Sequence, residues 1–364
     1  MAKSHRLRRW LLKAMINVLG DAMIYTVAAA VAVSLGTLFR LFQKHIDGQP
    51  LIPAEYRRVV PWNFLAPLVL LAPLLLALSL AGASEEIAGE PEAALTAAVS
   101  NAALTTTGLP GILSSGAGLS AGIAVDDAFY GFDPVVMMQA MWGQSALTLT
   151  MSAACFALLV LAFGATRIDL GLPESWPQFF ADVRLGATMW AAALVPIYAI
   201  MVALNFALEP TEGHPLVERL VENHSLGMMA AAMFTAVVAA PLYEEAAFRL
   251  VLQGWLERVE YFARRRTPMA EIEGDAVDGD GVVRRSEFLY APAQTQWLPI
   301  AVSGTLFGLA HWGHGVSPMP LVLLGFILGY AYQRTHRIVP CITCHVMFNG
   351  FTFLMLALQF AEEL

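Results

Sequence analysis

Charge is scarce in this chain of 364 residues. Only 14% are Asp, Glu, Lys or Arg, where an ordinary soluble domain carries roughly 25%, and this argues against a soluble globular enzyme. Cysteine is scarcer still. The three present, Cys155, Cys341 and Cys344, all sit in apolar blocks, so no disulfide framework of the kind that staples small secreted domains can form. The redox compartment stays open on that evidence. No long basic stretch occurs and the formal net charge is −8, which gives a phosphate backbone little to bind and excludes nucleic acid as a partner. The basic start (Lys3, Arg6, Arg8, Arg9, Lys13) before the apolar run Met23–Phe39 lacks a small-residue cleavage site after it, and so reads as a retained signal anchor.

What the chain has is 57% hydrophobic residues, gathered into long uncharged blocks, and about 18 such residues in a row read as a membrane span. Candidate spans are Ala22–Phe39, Leu65–Ala83, Val135–Phe163, Leu185–Phe206, Leu226–Leu250, Leu298–Trp312, Pro318–Gln333 and Ile338–Phe360. Lipid leaves unpaired backbone groups no water to bond, so these segments are expected to be helices. The expected fold is an all-α, polytopic transmembrane bundle of about eight spans with the active site inside the membrane. Residues 1–184 read as an N-terminal membrane region with a long acidic segment at 84–133. Residues 185–364 read as a membrane core with a cytoplasmic insertion at 256–296. Within the acidic segment, the Gly-, Ala-, Ser- and Thr-rich stretch Ala93–Val125 fits a ninth span, a re-entrant segment or a loop.

Short basic loops mark the cytoplasmic side. Arg258, Arg264, Arg265, Arg266, Arg284 and Arg285, with Arg334 and Arg337 further on, place the insertion and the turn near residue 335 there. The N-terminal half is ambiguous, because basic residues flank its first span on both sides.

Ionisable groups within spans are costly, about 2.5–3.5 kcal/mol each on insertion scales, and are functional candidates by default. They concentrate in three spans: Glu244, Glu245 and Arg249 in the first, His311 in the second, His345 in the third. Residues four apart share a helix face, so Glu245 pairs with Arg249, Phe307 lies beside His311, and His345 lies beside Asn349. Glu244 is turned about 100° from Glu245, toward a different neighbour.

These residues carry a resemblance. Glu244-Glu245-Ala-Ala-Phe-Arg249 resembles the EExxxR motif, Phe307-Gly-Leu-Ala-His311 the FxxxH motif and His345-Val-Met-Phe-Asn349 the HxxxN motif of the CAAX protease and bacteriocin-processing (CPBP, or Abi) intramembrane proteases. The type II CAAX prenyl endopeptidases are among them. The three motifs occur in order over about Leu226–Phe360. The resemblance implies a hydrolase of the membrane, with Glu244 as general base, His311 holding the water, His345 and Asn349 donating to the oxyanion, and Glu245 with Arg249 orienting the site. It also implies a membrane peptide or lipidated, prenylated or bacteriocin-like protein as substrate, and intramembrane proteolysis in the bacterial cytoplasmic membrane with the site opening toward the cytoplasmic half.

Alternatives stay open. Glu244, His311 and His345 would supply a zinc shell with an open water position. The chain has no HExxH, and Asn349 is a poor zinc ligand, so a metal-free, cofactor-free mechanism is preferred. A non-catalytic scaffold or transporter would use the same polar cluster for binding. Cys341-Ile-Thr-Cys344-His345 fits the haem-attachment pattern, but it lies in an apolar helix and its histidine belongs to another motif. Asp278, Asp280, Gly281 and Glu287 approximate a calcium loop with Ala276 at its first ligand position, so a solvated loop is expected. His314, near a helix end, is expected to be a packing residue.

Overall fold

The computed structural model describes residues 2–55, 58–69, 134–208, 226–263, 295–311 and 317–363. The expected span at 65–83 beyond Val69, the 84–133 segment, the calcium-like loop, Trp312 and His314 lie outside the described residues.

Every regular element among them is helical: α1 (Ala2–Ile46), α2 (Pro134–Phe163), α3 (Trp176–Leu208), α4 (Leu226–Ala263), α5 (Trp297–Leu309), α6 (Pro318–Thr335) and α7 (Ile338–Glu363). Five are long and apolar enough to cross a membrane: α3 and α4 over their whole lengths, and Gly20–Ile46, Met138–Phe163 and Ile338–Leu358 within α1, α2 and α7. The chain is thus an integral membrane protein of the helical-bundle type. The expectation of about eight spans meets these five, plus a tight pair built from α5 and α6. With 13 residues, α5 covers about 20 Å, short of the ~30 Å hydrocarbon core. The expected span Leu226–Leu250 also grows: α4 runs on to Ala263, so residues 256–263 continue this helix and do not belong to a loop.

In the bundle α7 packs along α3, with α1 against both; α6 joins them, and α2 lies along the first half of α4. Leu250, Phe307, Leu324, Leu328 and Tyr332 are buried where α4, α5 and α6 meet.

Small residues set the closest approaches, as expected where lipid gives no hydrophobic drive for helix association. α5 and α6 run antiparallel, each carrying a small-xxx-small pair, Gly304/Gly308 and Gly325/Gly329. A Cβ on Gly325 would lie 2.6 Å from the Gly304 carbonyl oxygen, and one on Gly308 would lie 2.7 Å from the Pro318 carbonyl oxygen. At the turn into α7, His336 takes a left-handed conformation (φ 52°). Gly171 lies beneath it, and a Cβ there would come within 2.6 Å of His336 O.

Helix α4 is irregular for a reason that starts with Pro241. Proline brings no N–H, so a carbonyl one turn back loses its backbone donor. The chain widens into π turns over Thr235–Ala239, where the N–H of Ala240 reaches back to Thr235 O. Asn349 Nδ2 of α7 then donates to Ala236 O at 2.7 Å. A second π segment, Ala246–Gln253, follows the glutamates. Side chains from elsewhere also bond its carbonyls: Ser303 Oγ donates to Phe248 O (2.7 Å) and Trp62 Nε1 to Val251 O (3.2 Å). Such π turns interrupt α-helices chiefly at functional sites.

Candidate active site

The three motif segments converge midway along α4. Glu245 and Arg249, four residues apart, are both fully buried and form an ion pair, with Arg249 Nε donating to Glu245 Oε2 at 3.1 Å. The other carboxylate oxygen, Glu245 Oε1, accepts from His345 Nδ1 at 2.9 Å. Every strong bond of Glu245 is thus to a cationic or ionisable donor, which is what a buried carboxylate needs to offset its desolvation. Arg249 Nη1 donates to Ser303 Oγ at 3.0 Å, and its guanidinium lies 4.9 Å from the centre of the Phe307 ring.

Phe307 is the floor of the site. Its ring stands 5.2 Å from that of His311 and 5.4 Å from that of His345, centre to centre. Ser303 and Phe307, four residues apart, share one face of α5, and His311 follows at the same spacing in the turn just past Leu309.

Two hydrogen bonds fix the histidine tautomers. His311 Nδ1 lies 2.9 Å from Phe307 O; a carbonyl only accepts, so this nitrogen carries the proton. The carboxylate partner imposes the same on His345 Nδ1. With Nδ1 engaged in both, the two Nε2 atoms lie near one atom: Glu244 Oε2 is 3.8 Å from His311 Nε2 and 3.8 Å from His345 Nε2. That oxygen is buried without a hydrogen-bond partner among the described residues. The site is not sealed, since the Glu244 side chain is 12% and the His311 side chain 22% exposed.

The two glutamates, adjacent in sequence, thus have different surroundings. Glu245 is saturated by Arg249 and His345, whereas Glu244 has an oxygen free to work on a third molecule. Asn349 is held one turn from this cluster, with one amide hydrogen spent on Ala236 O and the second available. Among the described residues no group of three or more His, Cys, Asp or Glu side chains is arranged to hold a metal ion. The set Glu244, His311 and His345 comes nearest in chemistry, but its 3.8 Å separations exceed the roughly 3.4 Å between ligand atoms of a tetrahedral zinc shell.

Sequence reasoning missed Ser303, a serine in an apolar run with no motif to flag it. It also missed the buried polar residues beyond Arg249 on α4: Gln253, whose Nε2 donates to Glu257 Oε1 (2.9 Å) and to Gly329 O (2.7 Å). The readable signal was the four-residue recurrence Glu245, Arg249, Gln253, Glu257 on one helix face.

Residues 226–351 match the family model described as type II CAAX prenyl endopeptidase, Rce1-like. The match spans all three motifs and bears out the family resemblance they carry, that of a CAAX-type intramembrane protease. No curated protein and no solved structure matches the chain.

Proposed function

We propose that the protein is an endopeptidase that hydrolyses a peptide bond of a membrane peptide or lipidated protein, with Glu244 as the general base. The observation that carries this reading is the convergence of Glu244 Oε2 with the Nε2 atoms of His311 and His345 at 3.8 Å each. These separations are too long for direct hydrogen bonds and suit a water lying about 2.8 Å from each partner. Such a water donates its two hydrogens to Glu244 Oε2 and His311 Nε2 and keeps a lone pair for the carbon of a substrate carbonyl.

Glu244 takes a proton from this water as the oxygen bonds to the carbonyl carbon, and returns it to the nitrogen as the C–N bond breaks. His311 holds the water. The second amide hydrogen of Asn349 serves the developing oxyanion. His345 can donate there from Nε2 only as an imidazolium, and Glu245 on its other nitrogen balances that charge. Preorganised donors of this kind are commonly the largest contribution to acyl-transfer catalysis. The mechanism needs no metal, and stoichiometric zinc in active, purified protein would replace it with a zinc-bound water.

The basic residues Arg264, Arg265, Arg266, Arg284, Arg285, Arg334 and Arg337 support an orientation in which 264–294 and the α6–α7 turn face the cytoplasm of a bacterial cell. The site then opens toward the cytoplasmic half of the membrane.

The test compares wild type with Glu244→Gln for cleavage of a quenched fluorescent library of membrane peptides, with and without a prenylated cysteine. The proposal expects cleavage by wild type and none by a folded Glu244→Gln. Equal cleavage by both would remove Glu244 from the mechanism, and substrate binding without cleavage would favour a scaffold or transporter.

A further inference from the structure

We propose that Ser303 is a positioning residue for the catalytic cluster, acting through Arg249; this rests on the endopeptidase reading above. Its hydroxyl does two things at once. The oxygen accepts from Arg249 Nη1 at 3.0 Å, and the hydrogen is donated to Phe248 O at 2.7 Å. Because the backbone carbonyl can only accept, the hydroxyl hydrogen is committed to it and the lone pairs face the guanidinium. Ser303 is fully buried, so no solvent competes for either bond.

From this hydroxyl a chain of bonds leads to the reacting atoms. Ser303 fixes Arg249; Arg249 Nε fixes Glu245 Oε2 at 3.1 Å; Glu245 Oε1 fixes His345 Nδ1 at 2.9 Å; and His345 then presents Nε2 to Glu244. Each link sets the rotation of the next planar group. The guanidinium has no slack, since Nη2 already lacks a hydrogen-bond partner among the described residues and the Phe307 ring blocks one of its faces. Without the serine oxygen a second buried N–H of a cation is orphaned, and the cheapest relief is for the guanidinium to turn toward another acceptor. Glu245 and the His345 ring follow it. The same hydroxyl also ties α5 to the π segment of α4, eight residues before His311.

The effect is on geometry at the reacting centre, so it falls on kcat and leaves KM within about twofold, as expected for an interaction that acts in the transition state. The informative pair is Ser303→Thr and Ser303→Val, which have the same shape and differ by the hydroxyl; Ser303→Cys and Ser303→Ala serve where the added methyl does not fit. The measurements are kcat and KM on a membrane peptide cleaved by wild type, thermal stability of each variant, and the ring-nitrogen signals of His345 in ¹⁵N-histidine NMR, assigned by their loss in His345→Gln. The expected result is a kcat lowered about 10- to 100-fold in the Val and Ala variants, with the His345 signals shifted. The Thr or Cys variant returns both toward wild type.

If Thr is no better than Val, Ser303 is a packing residue and the proposal is overturned. If Val and Ala leave kcat and the His345 signals unchanged while Glu244→Gln is inert, the positioning role fails and the endopeptidase reading stands. If Glu244→Gln cleaves normally, the assignment of Glu244 as base fails instead, and the His345 signals alone decide the link from Ser303.

Discussion

Glutamine replacements at Glu244 and Glu245 should both abolish activity but differ sharply in stability. Glu245 has 0% side-chain exposure, accepts from Arg249 on one oxygen and from His345 on the other, and is the only carboxylate bonded to that arginine among the described residues. Glu245→Gln keeps the volume but leaves a buried guanidinium without its counter-charge. Removing one member of a buried pair in this way costs about 3–5 kcal/mol. At roughly 2–4 °C per kcal/mol for a domain of 150–250 residues, the melting temperature should fall by some 6–20 °C. Glu244 has an unpartnered oxygen and lies 3.8 Å from both histidines, so Glu244→Gln breaks no bond of the folded state and should shift stability by under about 1 kcal/mol. Both variants should fail to cleave, one because the base is gone and the other because His345 and Arg249 have lost their anchor. The assay is thermal unfolding in detergent followed by intrinsic tryptophan fluorescence, beside turnover of a cleaved peptide well below the lower transition. Equal destabilisation by the two substitutions, or a larger loss from Glu244→Gln, would refute the division of labour drawn from their surroundings.

Two further outcomes follow from the helix contacts. Gly304→Val places a Cβ against the Phe326 ring and within 2.9 Å of the Gly325 backbone; backbone cannot yield as a side chain does, so the variant should lose more than the roughly 1–3 kcal/mol of ordinary overpacking and lose activity with it, because α5 carries Phe307 and leads directly into His311. Normal unfolding temperature and turnover in Gly304→Val would show that the α5–α6 approach is looser than described. Asn349→Leu removes the donor to Ala236 O and orphans a carbonyl that Pro241 has already deprived of its backbone partner, so thermal unfolding should report a loss of about 1–3 kcal/mol. Unchanged stability would mean that water replaces the amide.

Much of this protein is legible in the sequence because lipid simplifies the physics. Long uncharged runs leave helix as the only spanning choice, so α1, α2, α3, α4 and α7 could be placed from composition, and the cost of charge in lipid singled out Glu244, Glu245, Arg249, His311 and His345. Motif spacing then gave the neighbours within each helix, since a four-residue step returns to the same face; the Glu245–Arg249 pair is such a local fact. The sequence also held a signal for the α5–α6 approach in its two Gly-xxx-Gly pairs.

The tertiary structure decided whatever depends on relations between helices. Which glutamate is saturated and which has a free oxygen cannot be read from two adjacent identical residues; it follows from α7 bringing His345 to Glu245 and α5 bringing His311 to Glu244. The histidine tautomers follow from their partners, a carbonyl on one helix and a carboxylate on another. Ser303 matters only because α5 sets it against Arg249. The π turns of α4 lie between these two cases. Pro241 announces a defect in the hydrogen-bond ladder, but how the helix absorbs it depends on donors that arrive from outside, Asn349 for Ala236 and Ser303 and Trp62 for the carbonyls beyond the glutamates. A helix in lipid can bond its own backbone, and its sequence says so; a broken ladder and a buried charge need partners from other helices, and only the assembled bundle supplies them.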